Sequence, residues 1–550
     1  MKKIIQKIKV LRYLKNIIFS FNPLREFLRF AIEFKKLQKK YNLEYKKNKN
    51  YSYKRDIVII CGEFTILYWI QMWLVFCLFF KSRNNRINVI SSRKSHIQNL
   101  YFKLLKTNFI FIEDLHNKKN IDYEYLERIK NLKTFENFKD FNYDNIPYGK
   151  MALSTYSRKN TTGTFNLNNK DQKEYLIYWL QYMFCLKKSS DRIINKFNEP
   201  IFFFSEVFME EFGAIYYSAL KLSKDIIQFF TSSREDSVVI KRRNKTNDRE
   251  HISAISEELI SFFRKKFPEN VNLLVKKNFE DRYSKKWNFS ARNIINTSNL
   301  NRDESRKYLK LKKDQKVAVL FNHIFYDTLF YNGEDLYESY ANWFIKTIKL
   351  ACKNKSIKWF IKIHPANLWR GEFEDLNQLA YKFEEESLVK KHIGKLPKHI
   401  SFIYPDTKLS PLAWMNLCDY GLTVRGTIGI ELAALGKTVI TAGSGRYEKA
   451  NITINPKSIE DYERIILNLH NIKGEFSKEL AIKLAYYTFI MKPYKFDIME
   501  PIKMKGYKNG NHVMNLGFKL KNKKINIQNC LKFIDWCENN SSLEFINNFD

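Results

Sequence analysis

Short apolar runs, each broken by glycine, proline or a polar cluster, recur along this chain with segments of helical spacing between them. The first, Asp56–Cys61, has the length of a buried strand and leads through Gly62-Glu63 into the long apolar run Phe64–Phe80. That run is near the lower limit for a membrane span. Because the strand-like Ile87–Ile90 follows it after a polar turn, it reads instead as a buried helix in a β-α-β unit. Phe109–Ile112 and Ile201–Phe204 add strands to the same sheet. The rhythm restarts at Val317–Phe321, passes through the helical Tyr337–Leu350 and reaches Ile357–Ile363, where His364-Pro365 ends the strand because proline has no N–H to give to a ladder. Tyr420–Val424 and Thr438–Thr441 follow, with the short helical Ile430–Leu435 between them and Gly436 placed to cap it.

Two such rhythms predict an α/β chain of two doubly wound, Rossmann-like domains facing a central cleft. The expected division is a basic N-terminal segment over 1–50, an N-terminal domain over 51–300, a C-terminal domain over 301–475 and a tail over 476–550. Residues 231–310 turn charged and poorly periodic, which marks the interdomain region, and the patch Lys241-Arg242-Arg243-Asn244-Lys245 within it reads as a solvated face. In the N-terminal segment Ile4, Ile8, Leu11, Leu14 and Ile18 recur at helical spacing among lysines and Arg12. Such a basic amphipathic helix either lies on an anionic membrane surface or packs its stripe on the domain behind it.

Charge changes this picture less than its size suggests. The 550 residues carry a formal net charge of +37. Lys, Asn, Ile, Tyr and Phe are abundant along the whole chain, and no recognition-module signature accompanies the charge, so nucleic acid is not expected as a partner. An anionic lipid or polysaccharide surface fits better. The seven cysteines are scattered, with no Cys-x-x-Cys pair, and the first residues lack a clean apolar core before a cleavage site. Both point to a cytoplasmic protein, peripheral on the inner membrane face if the N-terminal helix binds lipid. No Asp-x-Asp motif and no His/Cys cluster at ligand spacing occurs, so no metal and no cofactor are expected.

The chemistry gathers at strand ends. After Tyr420–Val424 comes Arg425-Gly426-Thr427-Ile428-Gly429, a glycine turn opening a helix, where free backbone N–H groups attract phosphate oxygens. Gly426 and Gly429 allow close backbone approach, and Thr427 offers a hydroxyl. Glu431 sits in the first helical turn, where it either accepts from both hydroxyls of a ribose or merely complements the helix dipole. Gly443-Ser444-Gly445-Arg446-Tyr447 forms a second small-residue loop after the next strand, and His364 ends the Ile357–Ile363 strand. His364 would donate to a phosphate oxygen or, with Arg425 and Arg446, stabilise charge on a departing nucleotide.

The runs VAVLFNHIFYDTLFY, NWFIKTIKL, WFIKIHPANLWR and DYGLTVRGTIGIELAALGKTVITAGSGRYEKANIT, spanning roughly Val317–Tyr462, resemble the capsule polysaccharide biosynthesis family of bacterial glycosyltransferases. The resemblance implies a GT-B fold, in which a C-terminal Rossmann-like domain holds a nucleotide-activated sugar and the N-terminal domain presents a polysaccharide or lipid-linked acceptor. It implies donor-site roles for His364, Thr427, Glu431 and Tyr447. Arg425 departs from the family, since a serine or threonine is frequent before that glycine.

Over the N-terminal half the resemblance is weak, and the readings are physical. A transferase needs a base for the acceptor hydroxyl, or a nucleophile. Glu63 follows the first strand and Glu206 follows Ile201–Ser205, while Glu113 and Asp114 after Phe109–Ile112 are weaker choices; each also suits the cap of the next helix. His323, just past Val317–Phe321, is a further crevice residue. The expected donor-site set is therefore His323, Arg425, Gly426, Thr427, Gly429, Glu431, Ser444, Arg446 and Tyr447, with His364, Glu63 and Glu206 as catalytic candidates. A nucleotide-sugar epimerase, a polyol-phosphate transferase and a non-enzymatic scaffold of polysaccharide export are the rival readings of the same residues.

Overall fold

The computed structural model describes residues 23–546 except 42, 44–52, 63–64, 66, 117–120, 233–236, 257–258, 260–262, 264–266, 284–296, 365–382, 406, 497–498, 506–512, 521–526 and 540. The stripe Ile4–Ile18, Glu63 and Pro365 lie outside the described residues. The first described helix, α1 (Pro23–Lys40), buries Phe30, Phe34 and Leu37 and leaves Leu24, Leu28 and Ile32 exposed on its outer side.

Five parallel strands, β1 (Asp56–Cys61), β2 (Arg86–Ser91), β3 (Asn108–Phe111), β4 (Ile201–Phe204) and β5 (Asp225–Thr231), pair in the order β3-β2-β1-β4-β5. The chain builds outward from β1 on one side, then returns to its other side, so the connection reverses between β1 and β4. Every residue of β1 is buried because both faces of the sheet are covered. Ile57 and Ile59 pack with the apolar helix α2 (Leu67–Ser82), while Val58 and Ile60 face the core shared by α3 (Tyr148–Asn160) and α4 (Glu210–Lys221). From Leu67 on, the apolar run is thus a buried helix, and no helix among the described residues is long and apolar enough to cross a membrane. Strand β6 (Ser237–Arg243) then runs antiparallel beside β5.

Helix α5 (Val271–Tyr283) leads towards the second sheet. There β7 (Val317–Phe321), β8 (Lys358–Lys362), β9 (Ile400–Ile403), β10 (Tyr420–Thr423) and β11 (Thr438–Thr441) are all parallel in the order β11-β10-β7-β8-β9, with α6 (Ile428–Ala434) between β10 and β11. The connection reverses between β7 and β10. After α7 (Lys478–Tyr486) a π-helical turn at Tyr487–Met491 carries the chain back to the first domain. There β12 (Tyr494–Lys495) pairs with β6, an antiparallel ribbon forms from β13 (Met499–Lys505) and β14 (Val513–Leu520), α8 (Gln528–Asn539) puts Phe533 against Phe76 and Phe229, and β15 (Glu544–Phe545) also joins β6.

This return corrects the reading of the patch as a solvated face for Lys241, Arg242 and Arg243, whereas Asn244 and Lys245 are exposed. Lys241 and Arg243 are buried in a strand that has neighbours on both edges. Lys241 can be buried because Glu544 lies 3.1 Å away and Glu250 3.6 Å away, and Arg243 donates to Gln228 Oε1 and to the carbonyls of Asn247 and Glu250.

The two sheets face each other across a cleft, the arrangement called GT-B. The loop after β7 ties the two domains together. Its Tyr331 accepts from Gln228 Nε2 at 3.1 Å and stacks on Phe208 at 5.1 Å, its Asp327 pairs with Arg158, and its Glu334 pairs with Lys150 and Arg249.

Candidate active site

A cavity of about 300 Å³ opens where the carboxyl ends of β7, β8 and β10 meet the end of β5 and the chain crossings between the domains. It sits at the reversal point of the second sheet, the place where such sheets leave a crevice for ligand. His323, His364, Arg425, Gly426, Thr427, Glu431 and Arg446 line it, as does Phe489 from the π-helical turn.

Each strand end contributes in a defined way. Nε2 of His323 accepts from the backbone N–H of Val424 at 3.2 Å and of Arg425 at 3.4 Å, and lies 3.0 Å from the Thr423 hydroxyl. A nitrogen that accepts from amides carries no proton, so the ring is neutral with its hydrogen on Nδ1. Burial, reinforced by the nearby Arg425, lowers its pKa to about 3. His364 is half-buried, one strand over, and close enough to His323 to disfavour its charged form. His251 also lines the cavity; its Nδ1 accepts from Ser253 N–H at 3.0 Å, and burial holds its pKa well below the usual imidazole value.

Arg425 is 3% exposed and forms a buried ion pair with Asp335 through Nη2, which also donates to the Glu334 carbonyl. Its Nε and Nη1 are buried without a hydrogen-bond partner among the described residues. Arg446 donates from Nη1 to the Arg425 carbonyl and from Nε to Ser253, so its side chain is anchored to the backbone of the Arg425 turn on the cavity wall. Thr427 starts α6 without capping it through its side chain.

Three expected donor-site residues are placed elsewhere. Tyr447 is buried behind the turn, where its hydroxyl donates to the Gly426 carbonyl at 3.0 Å. A Cβ on Gly429 would meet that hydroxyl at 2.1 Å, so the glycine makes room for Tyr447 and not for a ligand. Ser444 accepts from the Glu334 amide at 3.0 Å and belongs to the interdomain loop contact. None of the three lines the cavity.

Glu431 lines the cavity at 1% exposure, with both oxygens already engaged. Oε1 accepts from Arg282 Nη1 at 2.8 Å and Oε2 from the Tyr283 hydroxyl at 2.5 Å. The end of α5 thereby occupies the side of the turn where a ribose contact was expected. Arg282 and Tyr283 themselves form part of the wall, as do Lys362 and Asp327, and sequence reading found none of these four.

Across the cleft, Glu206 follows β4 at the reversal point of the first sheet. Half-buried, it accepts from the Val207 and Phe208 amides, and burial, opposed by Arg158, raises its pKa above the usual carboxylate value. Glu210, paired with Lys159, and Glu211 stand close by; the Glu211 carboxylate would lie 3.0 Å from a Cβ on Gly62. Glu113 instead accepts from Ser92 and the Arg93 amide, and Asp114 pairs with Arg93, so both close a turn beside β3. Among the described residues no group of three or more His, Cys, Asp or Glu could hold a metal ion.

No family model matches the chain, and no curated protein matches it. Among solved structures it is similar to the β-Kdo 2,4 transferase KpsC of Thermosulfurimonas dismutans, at 12% identity over 54% of this chain and 81% of that one with a TM-score of 0.30. It is also similar to the UDP-GlcNAc 2-epimerase of Neisseria meningitidis, at 10% identity over 79% of this chain and 99% of that one with a TM-score of 0.24. MurG of Acinetobacter baumannii gives 8% identity over 79% and 95%, with a TM-score of 0.28. Likenesses of this size carry no argument about the site, which stands on its own residues.

Proposed function

We propose that the chain is a glycosyltransferase that moves a sugar from a nucleotide-activated donor to a bacterial surface polysaccharide of the capsule or lipopolysaccharide type. The observation that carries this reading is the gathering of Arg425, Arg446, Lys362 and His364 on the wall of a crevice at a strand-order reversal. Positive side chains gathered in a partly enclosed crevice suit an oxyanion, since charge-assisted hydrogen bonds are the strong ones. The neutral His323, with its hydrogen on Nδ1, can donate as well without adding charge.

In the proposed step an acceptor hydroxyl oxygen bonds to the anomeric carbon. The bond from that carbon to the phosphate oxygen breaks, and its electron pair leaves with the nucleotide. The hydroxyl proton passes to a carboxylate of the first domain, for which Glu206 has the address and the raised proton affinity. His364 and Arg425 stabilise the charge that grows on the departing phosphate, so the step needs no metal ion. Glu431 acts by holding Arg282 and Tyr283 in the wall that receives the nucleotide. We place the protein on the cytoplasmic side, with residues 4–18 and the exposed Leu24, Leu28 and Ile32 of α1 against anionic lipid.

A thermal-shift panel of CMP-, CDP-, GDP- and UDP-linked sugars tests the donor site, because a ligand that binds only the folded state raises its melting temperature. Nucleotide release measured with and without acceptor then separates the chemistries. Release that depends on acceptor supports transfer. An epimerised sugar formed without acceptor makes the chain an epimerase, and binding without turnover makes it a scaffold.

A further inference from the structure

Four side chains that ordinarily carry positive charge reach the cavity wall, and three have visible partners. Arg282 is paired with Glu431, Arg425 with Asp335, and Arg446 donates to Ser253 and to a backbone carbonyl. Lys362 has none. It is the last residue of β8 and 6% exposed, and its ammonium makes no hydrogen bond or ion pair to any described residue. His364 lies two residues on, His323 lies two residues past the end of the adjacent strand, and the Arg282–Glu431 pair and Tyr283 stand on the helices over the cavity. None of these offsets the loss of water, and burial alone lowers the lysine pKa to about 8.

An uncompensated buried ammonium is the reverse of how buried charges are normally kept, which is paired or bound to a counter-ion. The geometry says where a counter-ion would come from. Lys362 is level with Phe321 on β7, and Leu320 with Leu422 on β10, so Lys362 and the Arg425 turn flank the same crevice from opposite sides. With strands about 4.8 Å apart, the two strand ends are separated by roughly 10 Å.

We propose that Lys362 binds an oxyanion of the ligand, either a phosphate of the nucleotide or a carboxylate on the sugar. This rests on the reading of the cavity as a nucleotide-sugar site. A lysine held for a ligand weakens the empty protein, whereas a lysine held for structure strengthens it, and this difference in sign makes the idea testable.

The experiment compares the parent chain, Lys362→Met and Lys362→Arg, first by melting without ligand. Binding follows, with inorganic pyrophosphate, CMP, CDP, GDP, UDP, UDP-glucose and UDP-glucuronate as probes. Lys362→Met should melt above the parent when empty, yet bind the best phosphate probe at least tenfold more weakly, with Lys362→Arg keeping most of the affinity. A tenfold loss confined to UDP-glucuronate would assign Lys362 to a sugar carboxylate; a loss shared by UDP and pyrophosphate would assign it to phosphate. A Lys362→Met protein that melts lower than the parent, or binds every probe as the parent does, overturns the proposal. If the parent binds pyrophosphate but no nucleotide, the nucleotide-sugar reading fails and Lys362 is judged on pyrophosphate alone. If the parent binds no probe, both fail.

Discussion

The two sheets reverse their strand order in the same way, yet the crevices that result carry opposite chemistry. In the cavity at the β7/β10 reversal stand Arg282, Arg425, Arg446, Lys362 and three histidines, with the carboxylates Glu431 and Asp335 bound to arginines. At the β1/β4 reversal stand Glu206, Glu210 and Glu211, set among aromatic rings. One topology thus offers two empty strand ends, and the residues placed there decide what each can do. A cationic crevice suits a phosphate, and a carboxylate crevice suits a hydroxyl that must lose its proton. Asp327 of the cavity wall lies within electrostatic reach of Glu206.

The largest effect expected from breaking this comparison is on the carboxylate side. If Glu206 takes the acceptor proton, Glu206→Gln lowers kcat by about 100- to 10,000-fold with donor affinity retained. In the parent, activity should fall as pH drops through the raised pKa of Glu206, because the protonated carboxyl cannot act as base, and a kcat/KM profile with no acid limb above the ordinary carboxylate range would remove Glu206 from the role. On the cationic side, Glu431→Ala leaves Arg282 without its buried carboxylate and should cost about 3–5 kcal/mol of stability in a denaturant titration. A stable variant that lost only donor binding would instead favour a direct ribose contact.

His364→Ala should reduce kcat roughly 100-fold with little change in donor Kd, since charge on the leaving phosphate develops only in the transition state. Full turnover would exclude His364 from the step. Chelator should leave the rate unchanged; a rate lost to chelator and restored by a divalent ion would overturn the metal-free mechanism. The smallest effect on the comparison comes from deleting residues 1–20. That deletion should release the protein from anionic vesicles at low salt, each basic residue contributing about 1 kcal/mol, with transfer in solution unaltered.

What the sequence made legible was local. Asp56–Cys61, Ile201–Phe204 and Val317–Phe321 are strands with the ends read from it, because a strand covered on both faces writes itself as an unbroken apolar run. The turn Arg425–Gly429 and the cavity position of His364 followed from the same logic. What could not be read came from distant partners. Arg282 and Tyr283 reach Glu431 across 149 and 148 residues, and Asp335 neutralises Arg425 across 90. Tyr447 fills the space at Gly429 that a ligand was expected to fill. Lys362 was hidden for another reason: a lysine in an apolar run looks like a strand end in water until its burial is seen.

The closing of the first sheet by β12 and β15 sets a timetable for synthesis. Strand β6 ends at Arg243, while Glu544, the carboxylate beside Lys241, is added 301 residues later. At a ribosomal pace of roughly 5–20 residues per second this is a wait of about 15–60 s, during which the outer edge of β6 at Ile240 and Lys241 has no neighbour. An open strand edge invites pairing with other chains, and lysines and arginines along it discourage that. The run Lys241-Arg242-Arg243, costly to bury in the finished protein, guards the nascent one until its last strand arrives.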